Sequence, residues 1–295
     1  MSFTSFSPIT IVSVNGLADA RGSAMALQVS LEQMPGAQAL LCSPQRPDNL
    51  PSWIAHHPIA PLNYHEYSWF MMMVLWRFVQ TDFALIVQDD GWVINASNWQ
   101  DEFFNYDYLG APVHLARIDS TEGTRWARSF SWLQELNLSD RRVTPIQNGG
   151  FCLRSQRMMR VLAEHPEIPI EIPRPELLGP PYPYRMYWSN DALNEDVQLS
   201  GLLRPRLEQL GLRFAPTSTA CRFAVEDFVP PLQTDEDLSL VFGQHSRFRP
   251  LTCLAPKTIC SLLPEAEIAQ WRGVPQILAM LERNGYRIEF KKTHY

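Results

Sequence analysis

Thr81-Asp-Phe-Ala-Leu-Ile-Val-Gln-Asp-Asp-Gly91 is the stretch whose reading decides the fold. Phe83 to Val87 is an unbroken apolar run, too short for an ordinary helix and bounded by polar residues, so it reads as a strand buried on both faces. It ends in Gln88-Asp89-Asp90-Gly91, where Asp and Gly favour a turn. Working back from it, Tyr64 to Gln80 is aromatic and methionine-rich and predicts a largely buried helix. Ala37 to Cys42 is a second strand candidate. Ser23 to Met34 reads as a helix stopped by Pro35-Gly36, and Ile9 to Val14 as a first strand running into Asn15-Gly16. The order is strand, helix, strand, helix, strand. That alternation predicts an α/β fold with a mostly parallel central sheet and helices on both faces. Ligands bind such sheets beyond the carboxyl ends of the strands. Asn15-Gly16 and Asp89-Asp90 are thereby placed on one rim.

Towards the C-terminus the pattern is more broken. Tyr106 to Pro112 reads as a short strand, and Arg117 to Arg142 as a polar, mobile loop around a short helix. Ile146 to Leu153 carries Asn148-Gly149-Gly150. Pro166 to Tyr184 is proline-rich and reads as irregular. Asn194 to Leu210 and Pro264 to Asn284 read as helical, with strand candidates at Leu212 to Ala215 and Tyr286 to Phe290.

Composition limits the function classes. The 295 residues are 45% hydrophobic and 19% charged, which suits a globular chain with a sizeable core. A net charge of −6 provides no global basic field for a nucleic acid backbone. Met-Ser-Phe-Thr-Ser-Phe lacks the features of a secretory signal, and no run approaches the roughly 20 apolar residues of a membrane span. The five cysteines (Cys42, Cys152, Cys221, Cys253, Cys260) form no CxxC pair, which argues against a zinc site and for a reducing, cytoplasmic setting. The phosphate-loop, GxGxxG, HExxH and GxSxG motifs are absent, which demotes kinase, dehydrogenase, zinc-protease and hydrolase readings.

Four constellations have chemistry available to them. Asp89-Asp90 at a strand tip suits Mg²⁺ or Mn²⁺, which take oxygen ligands; a solvated turn uses the same residues. Asn148-Gly149-Gly150-Phe151 allows close approach of backbone to a ligand; so does an ordinary hairpin turn. Glu195-Asp196 at a helix start suits either a helix cap or a general base. His245 in Phe242-Gly-Gln-His245 is either a loop histidine or a metal ligand.

The order of these blocks is more specific than any one of them. Thr81 to Asn95, Trp99 to Pro112, Asn148 to Arg154, Glu195-Asp196, Leu212 to Pro216, Phe223 to Glu226 and Phe242 to His245 follow one another as in a little-characterised family assigned to the GT-A-type glycosyltransferases and catalogued as a domain of unknown function. The resemblance spans roughly residues 60 to 250. It implies a GT-A-like single domain over 1–295, with a nucleotide-donor half (1–112), an acceptor half (113–250) and a C-terminal extension (251–295). It implies transfer of a sugar from a nucleoside-diphosphate sugar, a UDP-sugar by default, to a hydroxyl-bearing acceptor. The implied metal, Mn²⁺ or Mg²⁺, falls to Asp90 and His245. Asn148, Gly149 and Gly150 form the glycine loop, and Asp89, Asn15, Gly16 and Arg21 join the donor side. Glu195 and Asp196 form the acceptor-side pair, with Asp196 preferred as base. One departure bears on metal affinity: the motif is Gln-Asp-Asp rather than Asp-x-Asp, so Gln88 replaces an acid. A nucleotidyltransferase on the same sheet and a non-catalytic nucleotide-sugar-binding protein are the competing readings. Arg125, Trp126, Arg128, Trp132, Arg141 and Arg142 mix cations with aromatics as strand-binding loops do, which keeps a nucleic acid acceptor open beside an ordinary amphipathic loop.

Overall fold

A computed structural model describes residues 5–291 except 49, 181–182, 231 and 248–249. The first four residues, on which the reading of the N-terminus rests, and Pro181-Tyr182 of the proline-rich stretch lie outside the described residues. The central sheet is 7-stranded, in the order β3-β2-β1-β4-β8-β6-β7. Its members are β1 (Ile9–Val14), β2 (Gln38–Ser43), β3 (Ala55–Pro58), β4 (Phe83–Ile86), β6 (Tyr108–Ser120), β7 (Gly123–Ala127) and β8 (Arg141–Ser155); β5 (Gly91–Val93) leaves it for a smaller sheet. β3, β2, β1 and β4 pair in parallel, whereas β4–β8, β8–β6 and β6–β7 are antiparallel. Only β7 and β8 run against the common direction. The sheet is thus mostly parallel in strand direction and half antiparallel in its pairings.

The period-2 alternation of each strand feeds two cores. Ile9, Ile11, Leu41, Leu85 and Leu153 face one side, where helix α1 (Arg21–Gln33) packs with Ala24, Leu27 and Val29. Val12, Val14, Leu40, Ile86 and Cys152 face the other, against α2 (Tyr64–Met73) and α3 (Gln156–Glu164). A capping box starts α2: Asn63 accepts from His65 and Glu66 N–H, and Glu66 accepts from Asn63 N–H. The helix is shorter than its apolar pattern. It tightens at Val74 into a 3₁₀ turn over Leu75–Arg77, where β-branched and aromatic side chains crowd the preceding turn.

The second half corrects several expectations. The segment 117–142 is no mobile loop: β6 continues to Ser120, turns into β7, and a 3₁₀ turn over Ser131–Glu135 leads into β8. The expected short strand at Tyr106 to Pro112 is the start of the 13-residue β6. Asn148-Gly149-Gly150 lies inside the 15-residue β8 and not in a loop. Leu212 to Ala215 forms no strand beyond an isolated bridge from Phe214 to Tyr108. The helix expected from Asn194 begins as α4 (Glu195–Val197), widens into a π-helical turn over Gln198–Leu202, and resumes over Arg204–Gln209.

Among the described residues three smaller sheets accompany the central one. A hairpin pairs β9 (Glu176–Leu178), inside the stretch that reads as irregular, with β10 (Arg185–Tyr187) just beyond it. β11 (Ala224–Val225), β12 (Gly243–His245) and β5 form another, and β13 (Leu251–Ala255), β14 (Thr258–Ser261) and β15 (Arg287–Phe290) the last. The C-terminal extension is no appendage: Leu251, Ile259, Leu281 and Tyr286 share the core of β1 and α1. Among the described residues no helix is long and apolar enough to cross a membrane.

Candidate functional site

The site grows from the tip of β4. Gln88 and Gly91 exchange both backbone hydrogen bonds, at 3.0 and 2.9 Å, so Asp89 and Asp90 occupy a two-residue turn into β5. β5 pairs with β12 so that Gly91 lies opposite His245. A Cβ on Gly91 would stand 3.1 Å from the His245 ring. Ser246 N–H donates to the Asp90 carbonyl at 2.7 Å, which closes the second strand onto the turn. Asp90 is 1% exposed, with its Oδ1 3.6 Å from His245 Nε2. Gln88 Nε2 donates to the Tyr67 hydroxyl at 2.8 Å, which turns Oε1 towards the same His245 Nε2, 3.4 Å away.

The glycine block packs beneath this turn. From Gly110 to Pro112 β6 advances two residues, while its partner β8 runs from Cys152 to Gln147; the excess bulges Asn148–Phe151 out of register. Asn148 Oδ1 accepts from Gly150 and Phe151 N–H at 2.7 and 2.9 Å, and its Nδ2 lies 3.2 Å from His245 Nδ1. A Cβ on Gly150 would stand 2.4 Å from His245 Nε2, and one on Gly149 would stand 2.4 Å from Glu195 Oε1. Close side-chain approach, and not a turn, is what demands glycine at both positions.

The acidic pair divides its roles. Glu195, 7% exposed in its side chain, is held by Arg154 Nη2 at 3.1 Å, and Arg154 is itself 1% exposed. Asp196 forms no ion pair among the described residues: its Oδ1 accepts from Val197 N–H at 2.7 Å. Burial, followed by the nearby carboxylates of Glu195 and Glu226, pushes its pKa above the ordinary carboxylate range. Glu226, which the sequence marks only as part of a block, joins the site: its Oε2 lies 3.6 Å from His245 Nδ1. Burial alone would lower the pKa of His245, but Asp90 and Glu226 reverse that and raise it to about 9.

The donor-side candidates separate into two groups. Asn15, Gly16, Tyr67, Gln88 and Asp89 line one cavity of about 210 Å³ at the strand tips. The Asn15 amide organises its own loop, donating to Ser23 Oγ at 3.0 Å and accepting from Leu17 N–H at 2.7 Å. A Cβ on Gly16 would stand 2.3 Å from the Leu62 carbonyl. Arg21 is not brought to this cavity; its exposed guanidinium pairs with Asp19 at 2.6 Å on a neighbouring groove. The cations proposed for a nucleic acid are matched by acids: Arg125 and Arg141 by Glu135, Arg142 by Glu208, Arg128 by Asp191. Trp132 is fully buried.

Two ligands bound side by side to one ion at about 2.1 Å stand about 3 Å apart. Gln88 Oε1 and Asp90 Oδ1, at 3.4 and 3.6 Å from His245 Nε2, come close to that spacing. Among the described residues no three His, Cys, Asp or Glu side chains group to hold an ion unaided. The Gln88 amide oxygen is therefore the third protein donor this site has to offer. Residues 59–245, nearly two thirds of the chain, match the profile of a family described as protein of unknown function (DUF5672). Among curated proteins none matches the chain.

Proposed function

Since the chain belongs to the DUF5672 family, whose function is unknown, we propose its activity from the site: a GT-A-type glycosyltransferase that uses a divalent ion to move a sugar from a nucleoside diphosphate to an acceptor hydroxyl. One observation carries this reading. Five separated segments, bearing Gln88 and Asp90, Asn148 to Gly150, Glu195 and Asp196, Glu226, and His245, converge beside a cavity formed by the tips of β1 and β4.

Gln88 Oε1, Asp90 and neutral His245 Nε2 would hold the ion, Mn²⁺ or Mg²⁺, which supplies charge neutralisation for a departing diphosphate. The cavity at Asn15, Gly16 and Asp89 would take the nucleotide. The bond from the anomeric carbon to the diphosphate oxygen breaks, and a bond from that carbon to the acceptor oxygen forms. The acceptor proton passes to the Asp196 carboxylate, whose raised pKa suits it to receive a proton near neutral pH. Glu195, held by Arg154, fixes the helix start from which Asp196 projects.

A second reading draws on the imidazole. Asp90 and Glu226 flank a His245 whose pKa is raised to about 9, so a protonated ring would fill the cation's place in a binding protein that needs no metal. Thermal denaturation with UDP, GDP and their sugar derivatives, with and without Mn²⁺, separates the two. A ligand at 100 times its Kd adds about 2.7 kcal/mol. A Mn²⁺-dependent shift that disappears in Asp90→Asn supports the transferase. A shift indifferent to Mn²⁺ supports the metal-free reading, and no shift with any nucleotide sinks both.

A further inference from the structure

Residues of the acidic centre reach two cavities. Gln88 and Asp89 face the one at the strand tips. His245 and Asp227, the neighbour of Glu226, line a second cavity of about 310 Å³. Transfer from one molecule to another needs two ligands meeting at one centre, and Gln88 of the first cavity lies 3.4 Å from His245 of the second. We propose, resting on the transferase reading above, that this second chamber is the acceptor site and that the group it takes is a saccharide ring.

The chamber is lined for such a ring. Phe130 and Trp271 provide aromatic surface on its wall. Ser129 and Phe130 adopt consecutive left-handed conformations, φ 55° and 60°, which cost a non-glycine residue about 1–3 kcal/mol each. Two strained residues in succession, one of them bulky, are retained where they bring an aromatic side chain to the chamber. The polar lining pairs Asp227 with Arg247, whose Nη1 donates to both Asp227 oxygens at 3.3 and 3.2 Å, and adds Arg272. Gln244 also lines the chamber, 1% exposed, and its Nε2 has no hydrogen-bond partner among the described residues. A buried donor in that state is explained by a partner that arrives with water or ligand. A sugar presents an apolar C–H face to aromatic rings, while its hydroxyls both donate and accept. The volume sits at the small end of the roughly 300–1,000 Å³ of ligand clefts, room for about one ring.

Saturation-transfer NMR with the methyl glycosides of glucose, galactose, mannose and N-acetylglucosamine, in the absence of donor, tests this on wild type, Trp271→Ala, Trp271→Phe and Asp227→Asn. Calorimetric titration of UDP and GDP with Mn²⁺ runs on the same proteins, with circular dichroism to confirm folding. We expect at least one glycoside to bind, with affinity falling about fivefold or more in Trp271→Ala and Asp227→Asn and recovering in Trp271→Phe, while nucleotide affinity changes less than about twofold. The proposal is overturned if no glycoside binds, if binding survives both substitutions, or if Trp271→Ala abolishes nucleotide binding, which would make the chamber the donor pocket. Glycoside binding in a chain that binds no nucleotide keeps the saccharide site and removes the transferase reading instead.

Discussion

The two adjacent acid pairs of this chain, Asp89-Asp90 and Glu195-Asp196, have nearly the same chemistry and are held in opposite ways. The first sits in a turn closed by backbone bonds, and its inner member, Asp90, faces the imidazole of His245. The second opens a helix, where Glu195 is locked to buried Arg154 and Asp196 is left among like charges. Environment, and not residue type, sets what each carboxylate can hold. On the proposed reading the first pair is suited to a cation and the second to a proton.

Removing Arg154 would break this contrast most forcefully. Arg154→Met leaves Glu195 buried without its cation, and urea denaturation should show a loss of about 3–5 kcal/mol. Adding Glu195→Gln should recover a large part of it. A loss below about 1 kcal/mol in the single variant would mean that the pair is wetter than its burial indicates.

Gly150→Ala attacks the first pair from beneath. Its Cβ would meet His245 Nε2 at 2.4 Å and Gln88 Oε1 at 2.7 Å, both ends of side chains that can shift. Stability should fall by about 1–3 kcal/mol, and Mn²⁺-dependent nucleotide affinity by at least about tenfold, measured by calorimetry. Unchanged affinity would detach His245 and Gln88 from the metal.

Asp196→Asn sharpens the comparison through pH. A carboxyl whose folded pKa is raised gives stability that is full below its unfolded value, 3.8, and is lost as pH rises towards the folded value. The variant removes that loss. Its melting temperature should equal wild type or lie below it near pH 4, and exceed it by about 2 °C or more at pH 8. Transfer activity should nevertheless fall about 100-fold or more if Asp196 takes the proton. Arg21→Ala should do least, with no measurable change in denaturation midpoint and nucleotide affinity within about twofold, because its guanidinium already pairs with Asp19 in open solvent. A larger loss would return Arg21 to the donor site.

These contrasts track what was legible in the sequence. The turn at Gln88–Gly91 and the strands that precede it were readable because their signals are local: a buried apolar run followed by turn residues. β8 and the part of β6 beyond Pro112 were not, because Pro112, Pro145, Gly149 and Gly150 interrupt their patterns and look like loop punctuation. The register shifts between the strands absorb those breaks. β3 escaped for another reason: an edge strand reading Ala-His-His-Pro, with three residues exposed and His56 half-buried, has no apolar pattern to find. The tie of Glu195 to Arg154 joins residues 41 apart, and the approach of Glu226 to His245 depends on where β11 and β12 pair. Neither pairing leaves a mark in local composition.

The π-helical turn at Gln198–Leu202 has its own consequence. Such a turn accommodates one residue more than the α-helix around it, and each α-helical residue advances the helix by about 100°. Ser200 pins the wide turn, accepting from Gln147 N–H at 3.0 Å and donating to the Asp196 carbonyl at 2.7 Å. Deleting one residue here would let the helix rewind as continuous α-helix while its Arg204–Gln209 end stayed anchored. The whole start would then rotate by roughly a quarter turn and swing Asp196 away from the centre. The aim of that carboxylate is thus set by a phase offset written several residues downstream of it.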